Sequence, residues 1–332
     1  MDYREFCNYV ENQIKGFIPA KYSDYSVELH TVSKPNIGEQ IGLAFVPPVK
    51  DYPAPVIYLE PFYDAYLNKG MNIGRLMVQI GTTAAEGIEK GKETVSEMFD
   101  IVPDMTDWSG VKGQVTVRAI GVSRNTELLK TVPCRLHGDI ALIYQVSVKA
   151  KDDSQMTVRI TNDLMDRYGI SEPELYAAAM ENSQRSQKVT CRPMGEVLGD
   201  ILGMDPDDPM VGEAPAKLYV LSTESLSFGA AALFYPGVIE KIGKNIPEGC
   251  YILPSSIHEV LILPKNQGEK AMLENMVQEI NATQVAPDEV LSDFVSEYDS
   301  RTRTMTWGEN PSLALPEQLK EKTPVLSKEV IL

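Results

Sequence analysis

Histidine is scarce in this chain. Only His30, His137 and His258 occur in 332 residues, so any chemistry that needs an imidazole must use one of these three. The four cysteines, Cys7, Cys134, Cys191 and Cys250, are far apart and form no C-x-x-C pair, which excludes a zinc ribbon and a thioredoxin-type redox site. Thiols scattered so thinly read as reduced, and a cytoplasmic location is expected. Neither G-x-x-x-x-G-K-[ST] nor G-x-G-x-x-G occurs, which disfavours nucleotide hydrolysis. Basic charge is in deficit: 31 lysines and arginines face 47 acidic residues, a net charge of −16 that opposes phosphate-backbone contacts and anionic membrane surfaces. No nucleic-acid or membrane partner is therefore expected. No run approaches the ~18 uninterrupted apolar residues of a membrane span. The N-terminal MDYREFCNYVENQIK carries acidic residues where a signal peptide needs basic ones. The acidic stretch Asp205, Pro206, Asp207, Asp208 lacks the glycine and distal glutamate of a calcium loop and reads as solvated. Neither a metal nor a cofactor is expected.

What the chain does have is 43% hydrophobic residues, enough for one large or two ordinary globular domains. Asp2 and Glu5 form a capping-box pattern, and Phe6, Val10, Ile14 and Phe17 follow at helical spacing, predicting a helix over 2–17. Strands are expected at 26–32, 41–46 and 56–59, and a long helix follows through Ile73, Leu76, Met77, Ile80, Ala84 and Ile88. Tyr58, Phe62, Tyr63 and Tyr66 are spaced for core packing on a helix after Pro61. Further strands are expected at 114–120, 139–148 and 155–160. Thr161 should cap a short helix ending at Gly169, and Ser171 with Glu174 should make a second capping box. Residues 192–216 read as a long proline-containing connection in which Met194, Val197, Leu198, Ile201 and Leu202 form a turn or two of helix. Strands are predicted at 217–221 and 230–235, a short helix at 237–243, and a helix carrying Leu273, Met276, Val277 and Ile280. After Pro287 the chain is polar without sustained periodicity, and 320–332 reads as a loosely held tail. The expected fold class is α+β: a small N-terminal α-β-β-β-α module over 1–110, a larger mixed, mainly antiparallel sheet domain with helices over 111–290, and a partly irregular extension over 291–332.

Two polar islands could carry chemistry. In YILPSSIHEVLILP (251–264), two apolar strands bracket Ser255, Ser256, His258 and Glu259. In an extended chain Ser256 and His258 share a face, a minimal nucleophile and base, and Asp139 from a neighbouring strand would supply the orienting acid. The competing reading is a turn between two strands, since no G-x-S-x-G elbow is present. In LHGDIALIY (136–144), His137 and Asp139 would project from one face as an imidazole with its carboxylate, or else cap a strand end by bonding free backbone groups. A metal reading joins His137, Asp139, His258 and Glu259, but the spacing matches no zinc pattern. The candidate catalytic residues are thus Ser255, Ser256, His258, Asp139 and His137.

Several segments together, VIYLEPFYDAY (56–66), VPCRLHGDIALIYQV (132–146), ITNDLMDRYGISEPELYAAAMEN (160–182), GAAALFYPGVIEK (229–241) and 251–264, resemble DUF5688, a domain-of-unknown-function family of gut Firmicutes. A weaker similarity, in GDIALIY and YGISEPEL, is to the uncharacterised YtpQ-like family. The resemblance implies a bacterial intracellular α+β protein and no established reaction. The function expected is binding of a protein or small molecule, and family context implies a role accessory to mobile genetic elements. The alternative is a small-molecule hydrolase using the Ser/His/Asp set.

Overall fold

In the computed structural model, which describes residues 1–48, 54–98, 104–149, 155–203, 217–320, 322 and 329–330, Asp2 and Glu5 close the capping box that their spacing predicts. The Asp2 carboxylate accepts from the Glu5 backbone N–H at 2.8 Å, and the Glu5 carboxylate accepts from the Asp2 N–H at 2.9 Å. The helix they start, α1 (Tyr3–Gln13), is shorter than expected because the chain tightens into a 3₁₀ turn over Ile14–Phe17. The acidic stretch 205–208 lies outside the described residues, as does most of the expected tail.

The chain divides into two compact units, Met1–Val102 with Lys149–Gln155, and Pro103–Val148 with Met156–Leu332. In the first, β1 (Ser26–Lys34), β2 (Gly38–Val46) and β3 (Val56–Tyr58) form an antiparallel meander, followed by α2 (Glu60–Leu67) and α3 (Ile73–Met98). Phe6, Val10 and Ile14 from the N-terminal helix and Leu43, Phe45 and Ile57 from the strands meet Leu76, Met77, Ile80, Ala84 and Ile88 of α3 in one core. Of the periodic positions of α3, Leu76, Met77, Ile80, Ala84 and Ile88 are fully buried there and Ile73 partly so, and this hydrophobic stripe is what holds the meander. Phe62, Tyr63 and Tyr66 pack against that core, with the Tyr63 and Tyr66 rings 5.4 and 5.8 Å from Phe6. His30 is an exposed strand residue beside Glu28.

The second unit begins with α4 (Trp108–Val111), β4 (Val115–Gly121), α5 (Thr126–Thr131), β5 (Cys134–His137), β6 (Ile140–Lys149) and β7 (Gln155–Arg159). Its first sheet has β6 at its centre, paired antiparallel with β4 and β5, while β7 also pairs with β6. Next come α6 (Asn162–Tyr168), capped by Thr161 and closed by left-handed Gly169, and α7 (Glu172–Ser186). Ser171 makes no side-chain cap to α7. Glu174 accepts instead from the Trp108 indole N–H at 3.0 Å, and Glu172 accepts from Arg135 at 2.9 Å and from the Tyr144 hydroxyl. A tertiary donor, the Trp108 indole, thus took the Glu174 carboxylate that a capping box would have used locally. On the same helix, the Ser183 hydroxyl accepts from the Val117 N–H and Asn182 donates to the Lys112 and Val115 carbonyls, satisfying backbone groups of β4 and of the 3₁₀ turn before it.

The other sheet of this unit is built from β8 (Val189–Pro193), then, after α8 (Met194–Leu202), β9 (Tyr219–Thr223), and then, after α9 (Val238–Gly243), β10 (Cys250–Leu253) and β11 (Val260–Pro264). After α10 (Lys270–Thr283) come β12 (Ser296–Asp299), β13 (Thr304–Thr306), α11 (Glu317–Lys320) and β14 (Glu329–Val330). The strand order is β14-β13-β12-β10-β11-β9-β8, and each pairing is antiparallel. Leu253 and Leu263 on one face pack with Leu273 and Val277 of α10. Two expectations are corrected here. Ala230–Tyr235 is not a strand but a 3₁₀ helix over Gly229–Phe234, almost wholly buried. A short all-apolar run fits either form, and packing chose. The stretch after Pro287, expected to lack sustained periodicity, contains an interior strand, β12, whose alternation of buried Ser296 and Tyr298 with half-exposed Glu297 and Asp299 is only four residues long, too short to read as a pattern. Leu319 is fully buried against Leu129, Val132 and Leu136.

Gly81 in α3 offers a test of this packing. Replacing it with alanine in an open helix gains about 1 kcal/mol. Here a Cβ at Gly81 would stand 2.2 Å from the Phe17 carbonyl oxygen, a backbone atom that cannot swing aside. We expect Gly81→Ala to lower stability by about 1–3 kcal/mol, the usual cost of overpacking. A urea titration that shows an unchanged or raised midpoint would refute the close approach.

Candidate functional site

The two strands of YILPSSIHEVLILP pair as an antiparallel hairpin, Tyr251 with Leu263 and Leu253 with Leu261, so the polar island is the loop between them. That loop is bonded to itself. The Ser255 and Ser256 hydroxyls both donate to Glu259 Oε1 at 3.0 Å, and Ser256 Oγ accepts from the His258 backbone N–H at 3.0 Å. The His258 ring faces elsewhere: Nδ1 accepts from the Phe228 N–H at 3.1 Å, and Nε2 lies 3.4 Å from Glu289 Oε1. With Nδ1 as acceptor, the proton of the neutral ring sits on Nε2, toward that carboxylate. Neither serine hydroxyl meets an imidazole nitrogen.

Phe228 has a left-handed backbone, φ +53°, as does Leu226, a conformation that costs a bulky residue free energy. Its ring stacks on His258 at 5.4 Å, and the Arg118 guanidinium lies 4.0 Å from the ring centroid. Burial, with Arg159 nearby, pulls the Arg118 pKa down to about 10, while Asp288 favours the charged form. The left-handed turn brings Gly229 so close to Ser222 Oγ and the His258 carbonyl that a Cβ there would sit 2.2 and 2.7 Å from them. His258 thus serves as a post for the 226–229 turn.

His137 and Asp139 end up in different surroundings although two residues apart, because Gly138, at φ +59°, turns the chain between β5 and β6. The His137 ring packs with Phe234 and Trp307 at 4.9 and 5.0 Å. Asp139 is a hub of loops: its carboxylate accepts from the Ser123 N–H at 2.9 Å, the Ser123 hydroxyl and the Ser292 hydroxyl at 2.9 Å. Its own N–H donates to the Gly308 carbonyl and its carbonyl accepts from Val122. The geometry therefore places Ser255, Ser256 and His258 in one loop and His137 and Asp139 in another hairpin; the serines, His258 and Asp139 are engaged in structural hydrogen bonds, and His137 packs its ring between aromatic side chains. Among the described residues no three His, Cys, Asp or Glu side chains converge as metal ligands.

A cleft of about 670 Å³ opens at the β8 edge of the seven-stranded sheet, within the 300–1,000 Å³ range of small-molecule sites. The pairing of Cys191 with Leu221, and of Val189 with Thr223, puts Val189, Cys191, Tyr219 and Leu221 on one face by the two-residue period of a strand. Above them stand Val238, Lys241, Ile242, Asn245 and Ile246, carried by α9 and the turn after it. Cys191 is exposed, but apolar surroundings push its thiol pKa up, so it is a protonated thiol rather than a nucleophilic thiolate at neutral pH. The Lys241 ammonium, the Asn245 amide and the Tyr219 hydroxyl make no hydrogen bond or ion pair with any described residue. Sequence reading missed this site. Its walls come from three segments of ordinary strand and helix, and no local spacing marks side chains that only strand pairing brings together.

The Asp139 hub gives a pH-dependent prediction. Burial raises its carboxyl pKa, while bonds from Ser123 and Ser292 oppose the shift and Asp293 adds to it. A raised folded pKa means that the folded state holds the proton more tightly. The stabilisation is complete below the unfolded value of about 3.9 and is lost as pH rises through the folded value. Asp139→Asn, which keeps one acceptor and cannot ionise, should therefore compare more favourably with wild type at pH 7 than at pH 3.5. Chemical denaturation of both proteins at the two pH values checks the sign; an opposite trend would mean that the carboxylate is held ionised by its serines.

No described helix is long and apolar enough to cross a membrane. No curated protein matches the sequence, and no solved structure matches the chain. The model of a family of unknown function, DUF5688, matches residues 3–300. With nine-tenths of its length spanned by that match, the chain belongs to the DUF5688 family.

Proposed function

We propose that this is a cytosolic bacterial binding protein that holds a small molecule in the cleft between α9 and the β8–β9 edge. The observation that carries this reading is the cleft itself: concave, walled by Val189, Leu221, Val238, Ile242 and Ile246, and furnished with three polar groups that have no partner among the described residues. Apolar walls with a few convergent polar groups are the usual composition of a ligand site. The hydrolase reading loses ground on geometry. Ser255 and Ser256 give their hydroxyl protons to Glu259, and Asp139 bonds Ser123 and Ser292 rather than an imidazole. Four unpaired thiols, three of them buried, suit a reducing compartment.

The cysteine distribution makes the test simple. Cys191 is the exposed thiol, whereas Cys7, Cys134 and Cys250 are buried, so a maleimide fluorophore should label the folded protein at one position. The uncharged apolar dye Nile red should bind with roughly micromolar affinity, an order of magnitude common for apolar clefts. It should slow labelling at Cys191 and lose at least about tenfold in affinity in Cys191→Trp, whose ring fills the cleft. Dye binding that is indifferent to Cys191→Trp would reject the cleft as the ligand site.

A further inference from the structure

We infer that the ligand of this cleft is an amphipathic monoanion, an apolar body ending in a carboxylate, with the carboxylate held by Lys241 and Asn245. The inference rests on the proposed binding role and names the ligand class.

The charge distribution around the cleft is the first support. The chain carries a net charge of −16, yet among the described residues no carboxylate lines this cleft. Two cations of the β8 strand region are already paired: Arg192 on β8 with Asp200 at 2.7 Å and Glu196 at 3.6 Å, and Lys188 just before β8 with Glu224 at 2.5 Å. Lys241 has no such partner among the described residues and stands at the cleft wall. A cation left unpaired in an acidic protein, at the rim of an apolar cavity, is complementary to an anionic group whose remainder is apolar.

The donor set narrows the anion. Asn245 follows Lys241 by four residues, so both project from the same side of α9 and its closing turn. Together they offer one charge and a neutral amide. That suits the single charge of a carboxylate better than a phosphate dianion, which usually calls on arginines or several backbone N–H groups. The Tyr219 hydroxyl on the sheet side can serve a second oxygen, while Val189, Leu221, Ile242 and Ile246 remain for the apolar body.

The test compares head groups on one chain. Nile red displacement from the full-length protein is measured with decanoate, decanol and decylamine. Decanoate should displace the dye at about a tenfold lower concentration than decanol, the order expected of a charge-assisted hydrogen bond at a partly exposed site. In Lys241→Gln the ratio of decanoate to decanol midpoints should fall to about one, and in Lys241→Glu decylamine should become the better competitor. The ratio is taken within each variant, so a general loss of stability does not mimic the effect. Equal displacement by decanoate and decanol in the wild type, with dye binding still lost in Cys191→Trp, would overturn the carboxylate inference and leave the binding role standing. Dye binding unaffected by Cys191→Trp would overturn both.

Discussion

Leu221 pairs with Cys191 on one side and with Val260 on the other, and this antiparallel register decides which side chains of the seven-stranded sheet face α9 and which face α10. A slip of one residue would exchange the two sets, because successive strand side chains alternate between faces. Val260 and Ile262, both fully buried, would turn to the opposite face, and Leu253 and Leu263 would lose Leu273 and Val277. Register is therefore held from both faces at once, and the cleft is its by-product at the edge, where β8 is the last strand among the described residues and α9 does not fill the space.

Polar residues inside this unit are used mainly to fix loops. Asp139 joins the β5–β6 turn to Ser123, Ser292 and Gly308, three segments distant in sequence. His258 holds the strained Phe228 turn, and the Ile257 N–H donates to the Glu289 carbonyl, so the 286–293 connection runs from the His258 loop to the Asp139 hub. A buried carboxylate or imidazole left without such bonds would cost stability, which is why residues that look catalytic in a sequence so often turn out to be satisfied by backbone. The cleft follows the opposite rule: its Lys241, Asn245 and Tyr219 polar groups have no partner among the described residues and much of its wall is apolar, the composition common to small-molecule sites.

Much of the secondary structure could be read directly. The N-terminal capping box, the three-strand meander, the apolar stripe of α3 and the Thr161 to Gly169 helix all carry signals within about eight residues, the range over which capping and periodicity act. The misreadings share one cause. Ser171 lost its partner Glu174 to the Trp108 indole, a contact between residues 66 apart, and the run Gly229–Phe234 became 3₁₀ because Gly229 had to fit against Ser222 and the His258 carbonyl. In both cases tertiary packing outweighed a local preference worth about 1 kcal/mol or less.

The sequence by itself determined the α+β class, the amphipathic helices and most strands, and the scarcity of histidine and cysteine, because each depends on composition or on neighbours along the chain. It also marked Ser255, Ser256, His258, His137 and Asp139 as the polar residues to examine. Only the tertiary structure decided what they do, since the left-handed Gly138 separates His137 from Asp139 and the Glu259 carboxylate takes both serine hydroxyls. The cleft too belongs to tertiary structure alone. Val189 and Cys191, Tyr219 and Leu221, and Lys241 and Asn245 become neighbours only when β8 pairs with β9 and α9 folds over them, and a strand's partner is chosen by burial across the whole sheet rather than by the residues beside it in sequence.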